Sequence, residues 1–372
     1  MKGIQMASAD LDQTDVDAVL EVVRSGRLTM GSQTEEFERV TAEYCGSRYA
    51  VAVSSGTAAL HLLTIAAGIT AGDEVITSPF SFVASTNCFL YEGGHPKFVD
   101  IEPDTYCMDP QLIEAAIGPK TKAIVGVDVF GHPADWDHII DIARRHDLRV
   151  IVDSCESLGS EYKGRKTGSM GDGGAFAYFP NKQITTGEGG MIVTNDKDVY
   201  AVCRSLRNQG RDESGPWLEH VRLGYNYRMD ELSAALGVKQ MQRIEEFIAK
   251  RRTVAEMYDR AFSADPRIRT PKVQPHVRMS YFVYVVELQG QIRRDAVMRK
   301  MLERGIPTRG YFSPIHLQPY LQNRPGFSPA GCPVTERVSQ KTIALPFHNN
   351  LSEDEVRTVA GVLRQSLDEL SA

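Results

Sequence analysis

The sequence predicts an α/β protein with a large domain, built on a mostly parallel sheet sandwiched by helices, and a smaller C-terminal α+β domain. Short apolar runs alternate with helical patterns over residues 49–152. Regular alternation of this kind indicates a parallel sheet covered by helices on both faces. The length of 372 residues favours about two domains. We expect the large domain over residues 1–245 and the small one over residues 246–372.

The first elements follow from apolar spacing and helix-end signals. A helix is predicted over residues 11–25, with an apolar face made of Val16, Val19, Leu20 and Val23. Gly31 and Ser32 open a second helix, in which residues 37, 40, 44 and 45 point inward. Further strands are predicted at 49–53, 74–77, 96–99, 123–127, 148–152, 175–179 and 191–194, and further helices at 58–67, 81–90, 110–116, 134–146 and 198–207.

The second half of the chain is less regular. Residues 159–174 are rich in glycine and polar residues and predict a hairpin region, while residues 208–228 predict a long loop of the kind that is usually functional. One long amphipathic helix is expected from near Asp230 to beyond Ala255, as the bridge to the small domain. The small domain is predicted to hold a strand at 281–288 and helices at 293–304 and 352–370.

One stretch, residues 178–190, dominates the functional prediction. Lys182 follows an aromatic run and a proline, so we expect a buried approach to it. Burial favours the neutral amine of a lysine, which can attack a carbonyl. The glycines at 187, 189 and 190 allow the backbone to approach a ligand closely. The alternative is a buried strand end whose lysine extends to solvent.

Two further positions suit the binding of a ligand at such a sheet. The turn Ser54–Thr57 joins a strand to a helix N-terminus, which suits a phosphate, although Ser and Thr also cap helices generally. Asp153 follows the apolar run 149–152, at the strand end where the chemistry of parallel sheets is found. Asp153 either caps a turn or directs a buried anion at a cationic ligand.

Composition excludes several classes of protein. The net charge is −6 and no basic cluster is dense enough for a nucleic-acid partner. No apolar run is long enough to span a bilayer, and the first six residues are not followed by the apolar segment of a signal peptide. The six scattered cysteines indicate reduced thiols of a cytoplasmic protein, and neither they nor the histidines have the spacing of a metal site.

In combination, these motifs identify a resemblance. The chain resembles the DegT/StrS-type nucleotide-sugar aminotransferases, which have the aspartate-aminotransferase-like fold of pyridoxal 5′-phosphate (PLP) enzymes. The matching segments run from residues 54–60 to residues 314–320, and the order of helices and strands is similar over nearly the whole chain. No single segment is as specific as the combination.

The resemblance implies a set of cofactor-binding residues. Lys182 corresponds to the Schiff-base lysine, and Asp153 to the carboxylate that keeps the pyridinium nitrogen protonated. Gly56 and Thr57 correspond to the residues that hold the phosphate, and Phe82 to the ring that stacks on the pyridine.

The resemblance also implies a homodimer with shared active sites. Asn226 is expected to reach the cofactor phosphate of the neighbouring subunit, with Arg228 nearby. His316 lies where the family lines its sugar-nucleotide site. We expect sugar specificity to lie at Tyr311, at His316 and in the 208–222 loop.

Two positions depart from the family pattern. The family often has a phosphate-binding serine five residues before the lysine, but here that residue is Ala177, so another group such as Ser55 is needed. Three residues after the aspartate the family commonly has Gln or His near the phenolic oxygen of the cofactor, but here it is Glu156. Either Glu156 has a raised pKa and donates a hydrogen bond, or it points elsewhere.

The resemblance implies a homodimeric PLP-dependent aminotransferase. L-Glutamate is the expected donor, and the acceptor is a nucleotide-linked 4-keto-6-deoxyhexose, with position 4 expected over position 3. A PLP-dependent sugar dehydratase of the same family typically has histidine in place of the lysine, so Lys182 disfavours it. A non-catalytic PLP-binding regulatory protein remains an alternative. A Rossmann-type oxidoreductase is disfavoured because no GxGxxG follows a first strand.

Overall fold

The computed structural model of the protein describes residues 3–212, 215–216, 218–324, 327 and 331–371. Its strands are β1 (Tyr49–Val53), β2 (Glu74–Thr77), β3 (His95–Phe98), β4 (Thr121–Val127), β5 (Arg149–Asp153), β6 (Glu161–Tyr162), β7 (Arg165–Lys166), β8 (Gly173–Ala177), β9 (Gly190–Thr194), β10 (Ile268–Arg269), β11 (Val277–Arg278), β12 (Tyr284–Leu288) and β13 (Thr342–Leu345). Its helices are α1 (Gln13–Ser25), α2 (Ser32–Cys45), α3 (Gly56–Ala66), α4 (Ala84–Leu90), α5 (Ile113–Ala116), α6 (Trp136–Arg145), α7 (Lys197–Arg207), α8 (Glu231–Gln242), α9 (Ile244–Phe262), α10 (Arg294–Glu303), α11 (Pro319–Gln322), α12 (Pro333–Ser339) and α13 (Glu353–Ser371).

The predicted α/β fold with a mostly parallel sheet is confirmed. A seven-stranded sheet has the order β1-β9-β8-β5-β4-β2-β3. Of these strands β9 alone runs antiparallel to its neighbours, while β8, β5, β4, β2 and β3 pair in parallel. The carboxyl ends of β1, β2, β4, β5 and β8 therefore meet along one edge of the sheet.

A smaller antiparallel sheet, β10-β12-β13, lies in the C-terminal part of the chain. It packs with α9, α10 and α13 around a separate apolar cluster that includes Tyr258, Tyr284 and Leu345. The division of the chain at residue 245 falls in the first turn of α9 and stays a prediction.

The single long helix expected from residue 230 is instead two helices. Arg243 interrupts it with φ −110° and ψ 7°, between α8 and α9. The side chain of Arg243 forms ion pairs with Asp12 and Asp15 of the N-terminal segment. The interruption therefore coincides with a contact between parts of the chain that are more than 200 residues apart.

The apolar face of α1 is turned away from this chain. Val16, Leu20 and Val23 are 47%, 42% and 53% exposed. The side that packs on α8 instead carries Asp15 and Val22, both of which are buried. Asp15 faces inward because its carboxylate accepts hydrogen bonds from the Gln240 amide and pairs with Arg243.

No described helix has the length and apolar character needed to cross a membrane. Within the same described ranges, no three His, Cys, Asp or Glu side chains are grouped so as to hold a metal ion. The six cysteines are all free, and all except Cys155 are buried.

Candidate active site

A cavity of about 440 Å³ lies at the carboxyl edge of the large sheet. We call it the lysine cavity. Eight residues predicted from the sequence line it, namely Ser55, Gly56, Thr57, Phe82, Asp153, Glu156, Lys182 and Tyr311. The sheet topology explains why these residues lie together. Val127, Asp153 and Ala177 are the last residues of the parallel strands β4, β5 and β8, which end at the same edge of the sheet.

The N-terminus of α3 forms one wall of the lysine cavity. The Ser55 hydroxyl accepts a hydrogen bond of 3.1 Å from the Ala58 N–H and so caps the helix. The first N–H groups of a helix have no acceptor within it, and Gly56 and Thr57 both line the cavity. A Cβ at Gly56 would lie 2.7 Å from the Ala177 Cβ and 2.9 Å from the Cys155 Sγ. This tight turn therefore requires glycine and presents main-chain donors to the cavity.

Asp153 places a buried carboxylate in the same cavity. It is 5% exposed, and it accepts hydrogen bonds from the Ser85 hydroxyl at 2.6 Å and from the Cys155 N–H at 3.1 Å. A buried carboxylate favours a cationic partner, since its charge has lost most of its water. Sequence reasoning missed Ser85, although it lies three residues after the predicted site residue Phe82.

Lys182 is half-buried, with its Nζ 3.8 Å from the centroid of the Phe282 ring. The expectation of a buried approach is wrong in part, because Tyr178 is buried but Phe179 and Pro180 are exposed. The Lys182 N–H donates to the Phe179 carbonyl at 2.9 Å. This closes a turn that directs residues 179 and 180 outward.

Glu156 is a second buried carboxyl group in the lysine cavity. Its Oε2 accepts a hydrogen bond of 2.8 Å from the Phe130 N–H. Burial raises the pKa of Glu156 to about 7; the nearby Lys182 ammonium opposes the increase, and Asp153 and Asp128 add to it. Glu156 lines the cavity with a raised pKa, as in the first of the two alternatives derived from the sequence, and its hydrogen bond to the cofactor stays a prediction. Near neutral pH a substantial fraction of Glu156 carries a proton that it can donate.

Aromatic side chains form the rest of the cavity wall. Phe282, Tyr311 and Phe312 all line it, and the Phe282 and Tyr311 rings stack with centroids 6.4 Å apart. Phe82 lines the cavity while remaining 61% exposed. Asn181, which sequence reasoning also missed, lines it with a buried Oδ1 that has no hydrogen-bond partner among the described residues.

Three predicted site residues do not line the lysine cavity of this chain. Asn226 is exposed, and Arg228 donates to the Asn208 Oδ1 at 2.9 Å and lines a second cavity of about 430 Å³. His316 is fully buried, with its Nε2 3.1 Å from a carboxylate oxygen of Glu336. Their roles stay predictions. Residues 213, 214 and 217 of the 208–222 loop lie outside the described residues.

Comparison with known proteins places this geometry among sugar-modifying enzymes. The model of the DegT/DnrJ/EryC1/StrS aminotransferase family matches residues 9–364. A curated relative, the GDP-perosamine synthase of Caulobacter vibrioides, is 38% identical over 371 residues, which cover 98% of each chain.

Solved structures extend the comparison to the fold. One is PseC of Helicobacter pylori, an aminotransferase involved in the biosynthesis of pseudoaminic acid, which is 29% identical with a TM-score of 0.94. The superposition covers 99% of this chain and 100% of the PseC chain. The PLP form of a candidate sugar aminotransferase of Streptococcus pneumoniae is 27% identical with a TM-score of 0.93 and covers 99% of each chain.

Proposed function

We propose that this chain, which belongs to the DegT/DnrJ/EryC1/StrS aminotransferase family, moves an amino group from L-glutamate to a keto group of a nucleotide-linked sugar with PLP as cofactor. The observation that carries the proposal is the lysine cavity, in which a lysine amine, a buried carboxylate and a helix N-terminus meet. The relative named GDP-perosamine synthase supports a nucleotide sugar with GDP as the nucleotide. A 4-keto-6-deoxyhexose as the sugar rests on the family resemblance alone.

The residues of the cavity fit PLP. Main-chain donors at Gly56 and Thr57 suit the phosphate. The family often has a phosphate-binding serine at the position of Ala177, and here the Ser55 hydroxyl, which lines the same cavity, is proposed to replace it. Asp153 suits a protonated ring nitrogen, and Lys182 supplies the amine for an aldehyde. When bound, PLP supplies an electron sink for the carbanion formed at the donor Cα.

The side chains then divide the proton transfers between them. The Lys182 amine would remove the proton from the donor Cα and deliver it to C4′ of bound PLP, as a general base and then a general acid. The Asp153 carboxylate, oriented by Ser85, would hold a proton at the ring nitrogen of bound PLP. Protonated Glu156 would donate a hydrogen bond to its phenolic oxygen. The aromatic wall of Phe282, Tyr311 and Phe312 excludes water from these transfers.

A homodimer with shared sites is part of the proposal. The exposed apolar residues of α1 support it, because contiguous apolar surface on a protein marks an interaction site. Exposed Asn226 is proposed to reach the phosphate site of the partner subunit, with Arg228 beside it. The six free cysteines suit a reducing compartment, and we propose the cytoplasm.

The first test is a visible absorption spectrum of the purified protein with PLP, before and after addition of L-glutamate. Wild type should show a band in the visible range that glutamate bleaches, and a GDP-4-keto-6-deoxyhexose should restore it. Lys182→Ala should lose the band, whereas Lys197→Ala, which changes an exposed lysine at the start of α7, should retain it. Wild-type turnover by Lys182→Ala would refute the mechanism.

The product distinguishes the remaining functions. An amino sugar in the mass spectrum supports the aminotransferase, and a deoxygenated sugar without added nitrogen supports the dehydratase. A PLP band that no amino acid changes supports the non-catalytic regulatory protein.

A further inference from the structure

Arg251 is a buried cation next to the lysine cavity but outside its lining. It lies on α9 and is 2% exposed. Its Nη1 donates to the main-chain carbonyls of Tyr281 at 3.0 Å and Phe282 at 3.2 Å. Its Nη2 donates to the carbonyl of Lys182 at 2.8 Å. One guanidinium thus binds the main chain on both sides of the contact between the lysine amine and the Phe282 ring.

Burying the charge of Arg251 lowers the stability of the fold, because no carboxylate among the described residues forms an ion pair with it. The half-buried Arg207 pairs with Glu38, and the half-buried Arg243 pairs with Asp15. No ion pair of Arg251 with a carboxylate is present among the described residues, and its Nε has no partner there. A buried charge that is not directly ion-paired, and has only the more distant Asp10 carboxylate to offset it, destabilises a fold relative to an apolar side chain of similar size. Packing alone therefore does not account for an arginine here.

The two segments that Arg251 joins are also linked by a second set of contacts. The Gln183 Nε2 donates to the Glu156 carbonyl at 2.6 Å and to the Ser280 hydroxyl at 2.9 Å. The Phe282 N–H donates to the Phe130 carbonyl at 3.0 Å, and the Phe130 N–H in turn binds Glu156. The hydrogen bonds of Arg251 and those of Gln183 and Phe130 thus connect the same chain segments, which surround Lys182.

We propose that Arg251 is a positioning residue that sets the Lys182 amine over the face of Phe282. The inference rests on the proposed function for its catalytic consequence. A planar guanidinium with fixed donor directions can bind two main-chain segments at once, whereas the ammonium of lysine is a point charge on a flexible stem. The face of Phe282 attracts a cation and would hold the protonated Lys182 amine in place when it is not bonded to the aldehyde carbon of the cofactor.

The Arg251 guanidinium is positively charged at neutral pH. Burial lowers the pKa of Arg251 to about 10, and the nearby Asp10 carboxylate opposes this decrease. The guanidinium is therefore charged at neutral pH, and its three hydrogen bonds to carbonyl oxygens are charge-assisted.

The test compares Arg251→Lys with Arg252→Lys, since Arg252 is the adjacent but exposed arginine of α9. In cofactor-free protein, mass spectrometry measures the rate at which trinitrobenzenesulfonate modifies Lys182. We expect Arg251→Lys to change this rate at least about threefold and to lower kcat with L-glutamate by about 10- to 100-fold, because small misplacements of a reacting group are costly. The KM for glutamate and the Kd for PLP should stay within about threefold, since α3 binds the phosphate independently. Arg252→Lys should match wild type in all four quantities.

Phe282→Leu provides a second variant, which removes the ring but leaves Arg251 in place. It should change the rate of Lys182 modification in the same direction as Arg251→Lys. Wild-type modification rates in both variants would overturn the proposal, as would a wild-type kcat in folded Arg251→Lys. If wild type forms no visible band with PLP, the proposed function fails, while the modification rates still decide the positioning role.

Discussion

Glu156 illustrates how one residue changes the electrostatics of the lysine cavity. The family pattern has a neutral or basic side chain at this position, and here a carboxyl group is buried within hydrogen-bond distance of the Phe130 N–H. A buried carboxylate beside Asp153 would add a second negative charge, and its raised pKa removes much of that charge near neutral pH. The protonated acid is a hydrogen-bond donor, as an amide would be.

This property predicts a pH-dependent stability. The folded pKa of Glu156, about 7, lies above the ordinary glutamate value of 4.5. The contribution of Glu156 to stability is therefore fully present below about pH 4.5 and is lost as the pH rises through about 7. Glu156→Gln should match wild type near pH 4 and exceed its free energy of unfolding by up to about 3 kcal/mol near pH 8.

Urea unfolding of the cofactor-free protein at both pH values measures the difference. Glu303→Gln, which changes an exposed glutamate at the end of α10, serves as the control and should follow wild type at both. Equal pH dependence of wild type and Glu156→Gln would contradict the raised pKa.

Helix α1 shows that amphipathic spacing predicts where a helix forms. The spacing does not predict whether the apolar face of that helix packs inside its own chain or lies on the surface. The helix was predicted at residues 11–25 and is found at Gln13–Ser25. Its apolar residues face outward because Asp15 and its partners on α8 and at Arg243 occupy the inner side. An apolar helix face left exposed in one chain favours a second chain as its cover.

We therefore expect Val16→Glu/Leu20→Glu to yield monomers. Two charges on this face would have to be buried without partners in a dimer, whereas in a monomer they remain in water and cost little stability. Sedimentation velocity should show a dimer for wild type and a rise of at least about 100-fold in the dimer dissociation constant for the variant. Leu302→Glu, which alters an apolar residue of α10 that is 65% exposed, should remain dimeric. A dimeric double variant would place the interface elsewhere.

For the whole molecule, the position of Asn226 predicts that a complete site needs two chains. Asn226 is exposed and lies outside the lysine cavity of its own chain. If Asn226 serves the partner, a mixed dimer of Lys182→Ala and Asn226→Ala subunits contains one intact site and one doubly altered site. Random exchange makes half of the dimers mixed, so about a quarter of all sites regain wild-type composition.

The measurement is transaminase activity at limiting PLP, before and after subunit exchange between the two inactive variants. Recovery towards a quarter of wild-type activity supports the shared site. Exchange of Lys182→Ala with Lys182→Ala/Asn226→Ala is the matched control and should recover nothing. Absence of recovery in the first mixture, with exchange verified by mass spectrometry, would place Asn226 and Lys182 in one subunit's site.

Local sequence signals were sufficient to predict most strands of the large sheet. The strands at residues 49–53, 74–77 and 149–153 were predicted to within a residue, because buried strands of a parallel sheet are short apolar runs between turns. Lys182, Asp153 and Gly56 were predicted as site residues from the turns after such strands together with the family resemblance, and all three line the lysine cavity, while their roles stay predictions. The strands β10 and β11 were missed because two residues carry no periodicity, and β13 was missed although its four residues are all buried.

The rest depends on contacts between distant parts of the chain. The break at Arg243 coincides with ion pairs to residues 12 and 15, and the outward face of α1 depends on the same contacts. Ser85 reaches Asp153 across 68 residues, and Arg251 reaches Lys182 across 69. Periodicity and motifs report only on neighbours along the chain, whereas a buried polar group takes its partners from whichever segments the fold brings beside it. The succession of strands and helices along the chain was therefore predictable from the amino acids, whereas the order of the strands in the sheet and the hydrogen bonds that support Lys182 depend on tertiary packing.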